Sequence, residues 1–139
     1  MEIYQTSLQV RYAETDQMGV VYHANYLIWF ELGRTALVDS LGLDYLRLED
    51  EEGILSPVIK AELSFLKPVR YGDQVTVKTW VDAYDGLRVT YGYEIYAQDR
   101  LCVQGKTVHV CVRRTDFRPI SVRKKLPEWD AVYRRIKHN

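Results

Sequence analysis

The sequence predicts an α+β fold with one long helix and a five-stranded antiparallel sheet. Three observations carry the prediction. Apolar residues recur at helical spacing over one long stretch, at Tyr26, Phe30, Gly33, Leu37 and Leu41. One stretch before the helix and four after it alternate apolar and polar residues, with the two-residue period of a strand. Turn signals separate the later stretches closely enough for hairpins.

Taken in order, Leu8, Val10 and Tyr12 alternate and place the first strand at about residues 7–12. Residues 16–21 follow as a loop, with Gly19 giving the turn its freedom. The helix is expected from about Tyr22 to Leu41. Trp29, Leu32 and Ala36 widen its apolar face, and Gly42 stands where a left-handed C-terminal cap belongs. Glu31 and Arg34 are i, i+3 neighbours that can pair on its polar side. Glu49-Asp50-Glu51-Glu52 reads as a solvated loop. Ile59, Ala61, Leu63 and Phe65 form the next strand, which Pro68 ends. Val75 to Val81 and Val89 to Ile95 flank a hairpin signal at Asp85-Gly86, and Leu101 to Arg113 makes the last strand after a turn at residues 98–100. A short helix is expected over residues 128–137. One helix does not cover both faces of such a sheet, so a homodimer is the economical solution.

Composition narrows the function classes. The 139 residues suit one domain spanning 1–139 and need no disulfide or metal staple. Apolar content of 47% with 27% charge argues against disorder, and no stretch approaches the ~20 apolar residues of a membrane span. The opening segment lacks the basic start and apolar core of a signal peptide. A net charge of zero argues against a nucleic-acid binder. That zero hides a split. Residues 1–99 hold 8 basic and 16 acidic side chains, whereas residues 100–139 hold 11 basic and 3 acidic. Cys102 and Cys111 lie nine apart in one predicted strand, on opposite faces, and should not pair. Unpaired thiols fit a cytoplasmic setting, and three scattered histidines make no zinc site.

The chemistry concentrates between Asp16 and Tyr26. A carboxylate, a glycine-containing loop and His23 lie just before the long helix. The first N–H groups of a helix have no internal partner and carry partial positive charge, so they bind anions or polarise a carbonyl oxygen. A carboxylate beside them can attack as a nucleophile or activate water as a general base. The residues alone also allow Asp16 to be a cap or loop aspartate, and His23 to be a packing residue.

The run Asp16-x3-Val20-Val21-Tyr22-His23-Ala24-Asn25-Tyr26 resembles the signature of the 4-hydroxybenzoyl-CoA thioesterase family, in its YbgC-like acyl-CoA thioesterase branch. Arg11-Tyr12, Trp29-Phe30-Glu31-x-x-Arg34, Pro57-Val58, Ser64-Phe65-x-x-Pro68-Val69-x-x-Gly72-Asp73 and Arg118-Pro119-Ile120 extend the likeness over nearly the whole chain. The resemblance implies the hotdog fold, with the long helix central, in a homodimer assembling to a homotetramer. It implies hydrolysis of an acyl-CoA thioester without a cofactor or metal. Carried over, Asp16 is the essential carboxylate, Tyr22 gives its backbone N–H to the thioester oxygen, His23 binds or polarises the carbonyl, and Tyr12 supports Asp16 by a hydrogen bond. No Gly-x-Ser-x-Gly elbow is present for an α/β-hydrolase route. For the phosphates of coenzyme A the candidates are Arg88, Arg113, Arg114 and Arg118, with Arg123, Lys124 and Lys125 beyond. A non-catalytic acyl-CoA-binding module and a hotdog hydratase are the rival readings. The acyl group, and coenzyme A against acyl-carrier protein as carrier, are left open.

Overall fold

The computed structural model describes residues 2–139. Met1, where the leader reading begins, lies outside them. Five strands form one antiparallel sheet, in the order β1 (Tyr4–Gln9), β4 (Gln74–Tyr84), β5 (Arg88–Ala97), β6 (Arg100–Val110), β3 (Val58–Phe65). The short strands β2 (Ile54–Leu55) and β7 (Val112–Arg113) pair separately. Helix α1 spans Asn25–Ser40, α2 Tyr45–Glu51, α3 Val122–Lys125 and α4 Pro127–Ile136. The expected α+β fold with a five-stranded antiparallel sheet is present.

One face of the sheet carries the core. Phe30 of α1 stacks on Tyr93 of β5, with ring centroids 4.1 Å apart. Gly33 lets α1 approach Val77 and Thr79 so closely that a Cβ there would strike both side chains. On the same face of β5, the Tyr91 hydroxyl lies 2.8 Å from that of Tyr133 in α4, and Tyr45 of α2 extends the row of phenols at 3.4 Å. Both long helices therefore lie on one side. The other face holds Trp80, whose indole lies over Gly92, and Lys78, 4.5 Å above the Tyr96 ring.

A buried polar chain crosses the core. Arg34 donates to the Tyr93 hydroxyl at 3.0 Å, Tyr93 meets Thr107 at 2.6 Å, Thr107 meets His109 Nε2 at 2.9 Å, and His109 Nδ1 lies 3.2 Å from the Ser56 carbonyl oxygen. A guanidinium only donates and a carbonyl only accepts, so every hydroxyl between them points one way and His109 carries its proton on Nδ1.

Several elements depart from expectation, each for a local reason. The first strand ends at Gln9, and Tyr12 sits in a single 3-10 turn (Tyr12–Glu14), closed when the Glu14 carboxylate accepts the Arg11 N–H at 2.8 Å. Helix α1 begins three residues later than expected. Its outward residues Leu27, Ile28 and Leu32 are exposed, so Leu32 does not widen the buried face. Arg34 does not pair with Glu31, because the Tyr93 hydroxyl takes its guanidinium. Glu49 to Glu51 belong to α2, which Asp44 caps by accepting the Leu46 N–H at 2.9 Å. The last strand breaks at Cys111, and β7 turns away to pair with β2. Cys102 occupies a bulge that interrupts the alternation on which the opposite-face argument rested. Both cysteines are nonetheless free and buried. The Asp85-Gly86 hairpin forms as expected, with Gly86 at φ 95° and Asp85 Oδ1 accepting the Leu87 and Arg88 N–H groups. No helix among the described residues is long and apolar enough to cross a membrane.

Candidate active site

The loop between the 3-10 turn and α1 is tied down at both ends. At its start, the Asp16 N–H donates to the Val20 carbonyl oxygen at 2.8 Å and the Gly19 N–H returns to Asp16 at 3.0 Å. Gly19 has φ 80°, which only glycine adopts without strain. At its end, the Val21 N–H reaches Val69 and the Tyr22 N–H reaches the Glu14 carbonyl oxygen, both at 2.8 Å. The Asn25 side chain also donates to that Glu14 oxygen at 2.8 Å.

Asp16 keeps part of its carboxylate free. Oδ1 accepts the Met18 N–H at 2.8 Å, an Asx turn, while Oδ2 makes no hydrogen bond among the described residues. Asp16 is thus a loop aspartate with one oxygen unpaired among the described residues. It does not cap α1: the N-cap is Ala24, with no side-chain cap. The first helical N–H groups bond back three residues, Asn25 to Tyr22 and Tyr26 to His23. The N–H groups of His23 and Ala24 have no acceptor among the described residues.

Asp16, Met18, Val20, Val21, His23, Tyr26, Phe65, Leu66, Lys67 and Pro68 line one half-open cavity of about 290 Å³. Its wall is aromatic. The His23 ring lies 4.7 Å from Tyr22 and 6.0 Å from Phe65, and Tyr26 lies 5.8 Å from Phe65. Burial pushes the Tyr26 phenol up to about 12, so it stays neutral at physiological pH. Lys67 is the one cation in the lining.

Of the predicted residues, Asp16 and His23 come together in this cavity. Tyr22 packs its ring on His23, and its N–H is already given to Glu14. Tyr12 is 77% exposed, rests edge-on against Tyr71 at 5.6 Å, and lines no part of the cavity. The four arginines lie at the opposite end of the sheet. Phe65 pairs with Val103 at the Asp16 end, whereas Arg88 pairs with Val110 at the other, seven residues or ~23 Å along β6. Arg113 and Arg114 follow beyond Val110. Arg113 is forked onto Asp116 at 3.2 and 2.6 Å, Arg114 donates to the Glu49 carbonyl oxygen at 2.5 Å, and Arg118 lies 3.9 Å from Asp116. Sequence reasoning missed Tyr26, Phe65, Leu66 and Met18 as lining residues. Phe65 is about forty residues from Tyr26, and nothing local signals that meeting. It also missed Glu14, whose carboxylate is buried against Trp29. Among the described residues no group of three His, Cys, Asp or Glu is placed to hold a metal ion.

Comparisons with known proteins identify the family and the fold. The profile of the thioesterase-like superfamily matches residues 10–134. The chain belongs to that superfamily. Its fold is the hotdog fold of these thioesterases, and it is a thioesterase-family enzyme. It is 45% identical over 138 residues, 99% of each chain, to the "Putative acyl-CoA thioesterase YneP" of Bacillus subtilis. It is 30% identical over 122 residues to the 1,4-dihydroxy-2-naphthoyl-CoA hydrolase of Thermosynechococcus vestitus, covering 86% of this chain and 83% of that one. A solved DHNA-CoA thioesterase from Staphylococcus aureus superposes with a TM-score of 0.94 at 39% identity, over 97% of this chain and 91% of the other.

Proposed function

We propose that this chain hydrolyses acyl-CoA thioesters, with Asp16 as nucleophile or general base and the start of α1 polarising the carbonyl. The observation that carries the reading is the pairing of two unengaged groups in one place. Asp16, with Oδ2 unpaired, lines the same cavity as His23, whose N–H lies two residues before α1 and has no acceptor among the described residues. The polarising donor is therefore assigned to the His23 N–H and not to that of Tyr22, which Glu14 occupies. The His23 ring, between Tyr22 and Phe65, flanks the thioester. A thioester carbonyl is poorly resonance-stabilised and a thiolate leaves readily, so one carboxylate and preorganised N–H dipoles suffice. The aromatic wall of Tyr26, Phe65 and His23 favours a flat aromatic acyl group.

The separation of the basic cluster from Asp16 is resolved by a second copy. Strand β3 is an edge with Val58, Ile59 and Phe65 all exposed, a ready template for pairing. A two-fold axis that pairs β3 with its copy runs the strands antiparallel, so the basic end of one chain falls at the Asp16 end of the other. Arg88, Arg113, Arg114 and Arg118 then approach the coenzyme phosphates in trans. The exposed stripe Leu27, Ile28 and Leu32 on α1 supports further assembly to a homotetramer. Two free thiols fit a cytoplasmic setting.

The test is a panel of aromatic and aliphatic acyl-CoA thioesters followed by thiol release, run for wild type and Asp16→Asn. The variant folds and binds, and loses hydrolysis by about 10²–10⁴-fold. Turnover by Asp16→Asn at the wild-type rate overturns the assignment, and binding without thiol release by the wild type favours the non-catalytic module.

A further inference from the structure

We infer that Glu14 is a positioning residue that fixes the distance between Asp16 and the start of α1; the inference rests on the role proposed for Asp16. Glu14 is 6% exposed and belongs to neither the cavity wall nor the core cluster. A carboxylate so placed costs free energy unless its oxygens are filled, and here both are. Oε1 accepts the Arg11 N–H at 2.8 Å. Oε2 accepts the Trp29 indole N–H at 2.7 Å and the Arg11 guanidinium at 3.2 Å. Burial opposes ionisation, but these donors outweigh it and hold the carboxyl below its ordinary value.

The same residue works through its backbone. Its carbonyl oxygen accepts the Tyr22 N–H and the Asn25 side chain. Glu14 therefore holds three segments: the strand exit at Arg11, the loop end at Tyr22 and the second turn of α1 at Trp29. Asp16 lies two residues beyond it, and the His23 N–H follows directly on Tyr22. The two proposed reacting partners thus hang from one buried anchor, though neither touches it. Glutamate is required in place of glutamine because all three side-chain partners donate. An amide presents one acceptor oxygen and turns an N–H toward a donor. A small slip of the loop against the helix alters the reaction geometry steeply while leaving the binding surface in place.

The experiment compares wild type, Glu14→Gln and Trp29→Phe by thiol release, thermal melting and amide hydrogen exchange. Glu14→Gln is expected to lower kcat about 10–100-fold with KM within about twofold, a split that loss of transition-state geometry produces and loss of binding does not. Trp29→Phe, which removes one donor and leaves Arg11, should lower kcat less. Exchange at the Tyr22 amide should quicken at least about tenfold in Glu14→Gln relative to the β5 amides. A lower melting temperature with wild-type kcat per folded molecule, or a raised KM with unchanged kcat, assigns Glu14 to stability or binding and overturns the inference. If the wild type releases no thiol, the proposed activity fails on its own. The exchange result still decides whether Glu14 holds the loop, since unchanged protection at Tyr22 refutes it.

Discussion

At the Asp16 end of the sheet a carboxylate oxygen and two backbone N–H groups have no partner among the described residues, whereas at the Arg113 end most arginines already touch an anion or a carbonyl oxygen. The unmet groups of the first end lie in an aromatic hollow. The second has abundant charge, and much of it is spent internally. Under the proposed function, the difference separates two tasks. Chemistry needs groups held still and unsatisfied, so that they act on a carbonyl and not on a neighbour. Recognition of a multiply charged carrier needs only a field that survives local pairing, and exposed ion pairs leave most of that field intact.

The sharpest way to break the contrast is to separate the ends physically. Ile59→Lys places a charge on the β3 edge while leaving both ends intact within each chain. It should dissociate the proposed dimer in light scattering and lower kcat/KM by about 10²-fold or more. A variant that becomes monomeric with full activity removes the trans contribution.

A second prediction concerns pH. His109 lies under the basic end, and burial pushes its imidazole down to about 4 from 6.5. Between those values the unfolded chain takes up a proton that the folded chain refuses. Stability is therefore complete above pH 6.5 and falls as pH drops toward 4, by about 3 kcal/mol at most from this group. Urea midpoints measured from pH 7 to 4.5 should show the slope, and His109→Gln should flatten it. Protonation would also require the Thr107 hydroxyl to turn, which Tyr93 and Arg34 oppose.

The smallest effects belong to the basic end. Neutralising Arg88 or Arg118, which are less tightly paired than Arg113, should raise KM for acyl-CoA about threefold each and leave kcat unchanged. The KM of the wild type should rise with salt, and less so in the double variant. A kcat effect from either arginine would mean that the two ends are not divided as described.

The sequence made the scaffold and the loop before α1 legible, because both rest on local periodicity and a contiguous run of residues. The helical stripe from Tyr26 to Leu37 and the alternation in β4 and β5 needed no long-range knowledge. What stayed hidden was non-local. Arg34 read as the partner of Glu31 because only residues on its own helix are visible from spacing, and the competing Tyr93 is 59 positions away. Helix α2 was obscured by its acidic run, since four carboxylates look solvated whether or not Leu48 beside them is buried. Tyr22 fitted the oxyanion role until the Glu14 carbonyl oxygen took its N–H. The charge split between residues 1–99 and 100–139 was visible, but its geometry was not. The fold mixes the two sets, pairing Lys106 with Asp82 and Arg135 with Glu2 and bringing Arg114 within 3.9 Å of Asp50.

The row of phenols described in the core has a consequence at the alkaline extreme. Burial raises Tyr91 and Tyr133 well above 10, so neither ionises while the sheet and α4 stay together. Each holds its proton more tightly folded than unfolded, so stability is whole below pH 10 and drains away as pH climbs through the folded values. Ultraviolet titration should find these two phenols silent until the chain opens, with Tyr26, Tyr45 and Tyr84 also delayed among the eleven tyrosines. The packing of α4 on β5 thereby doubles as an optical gauge of its own integrity.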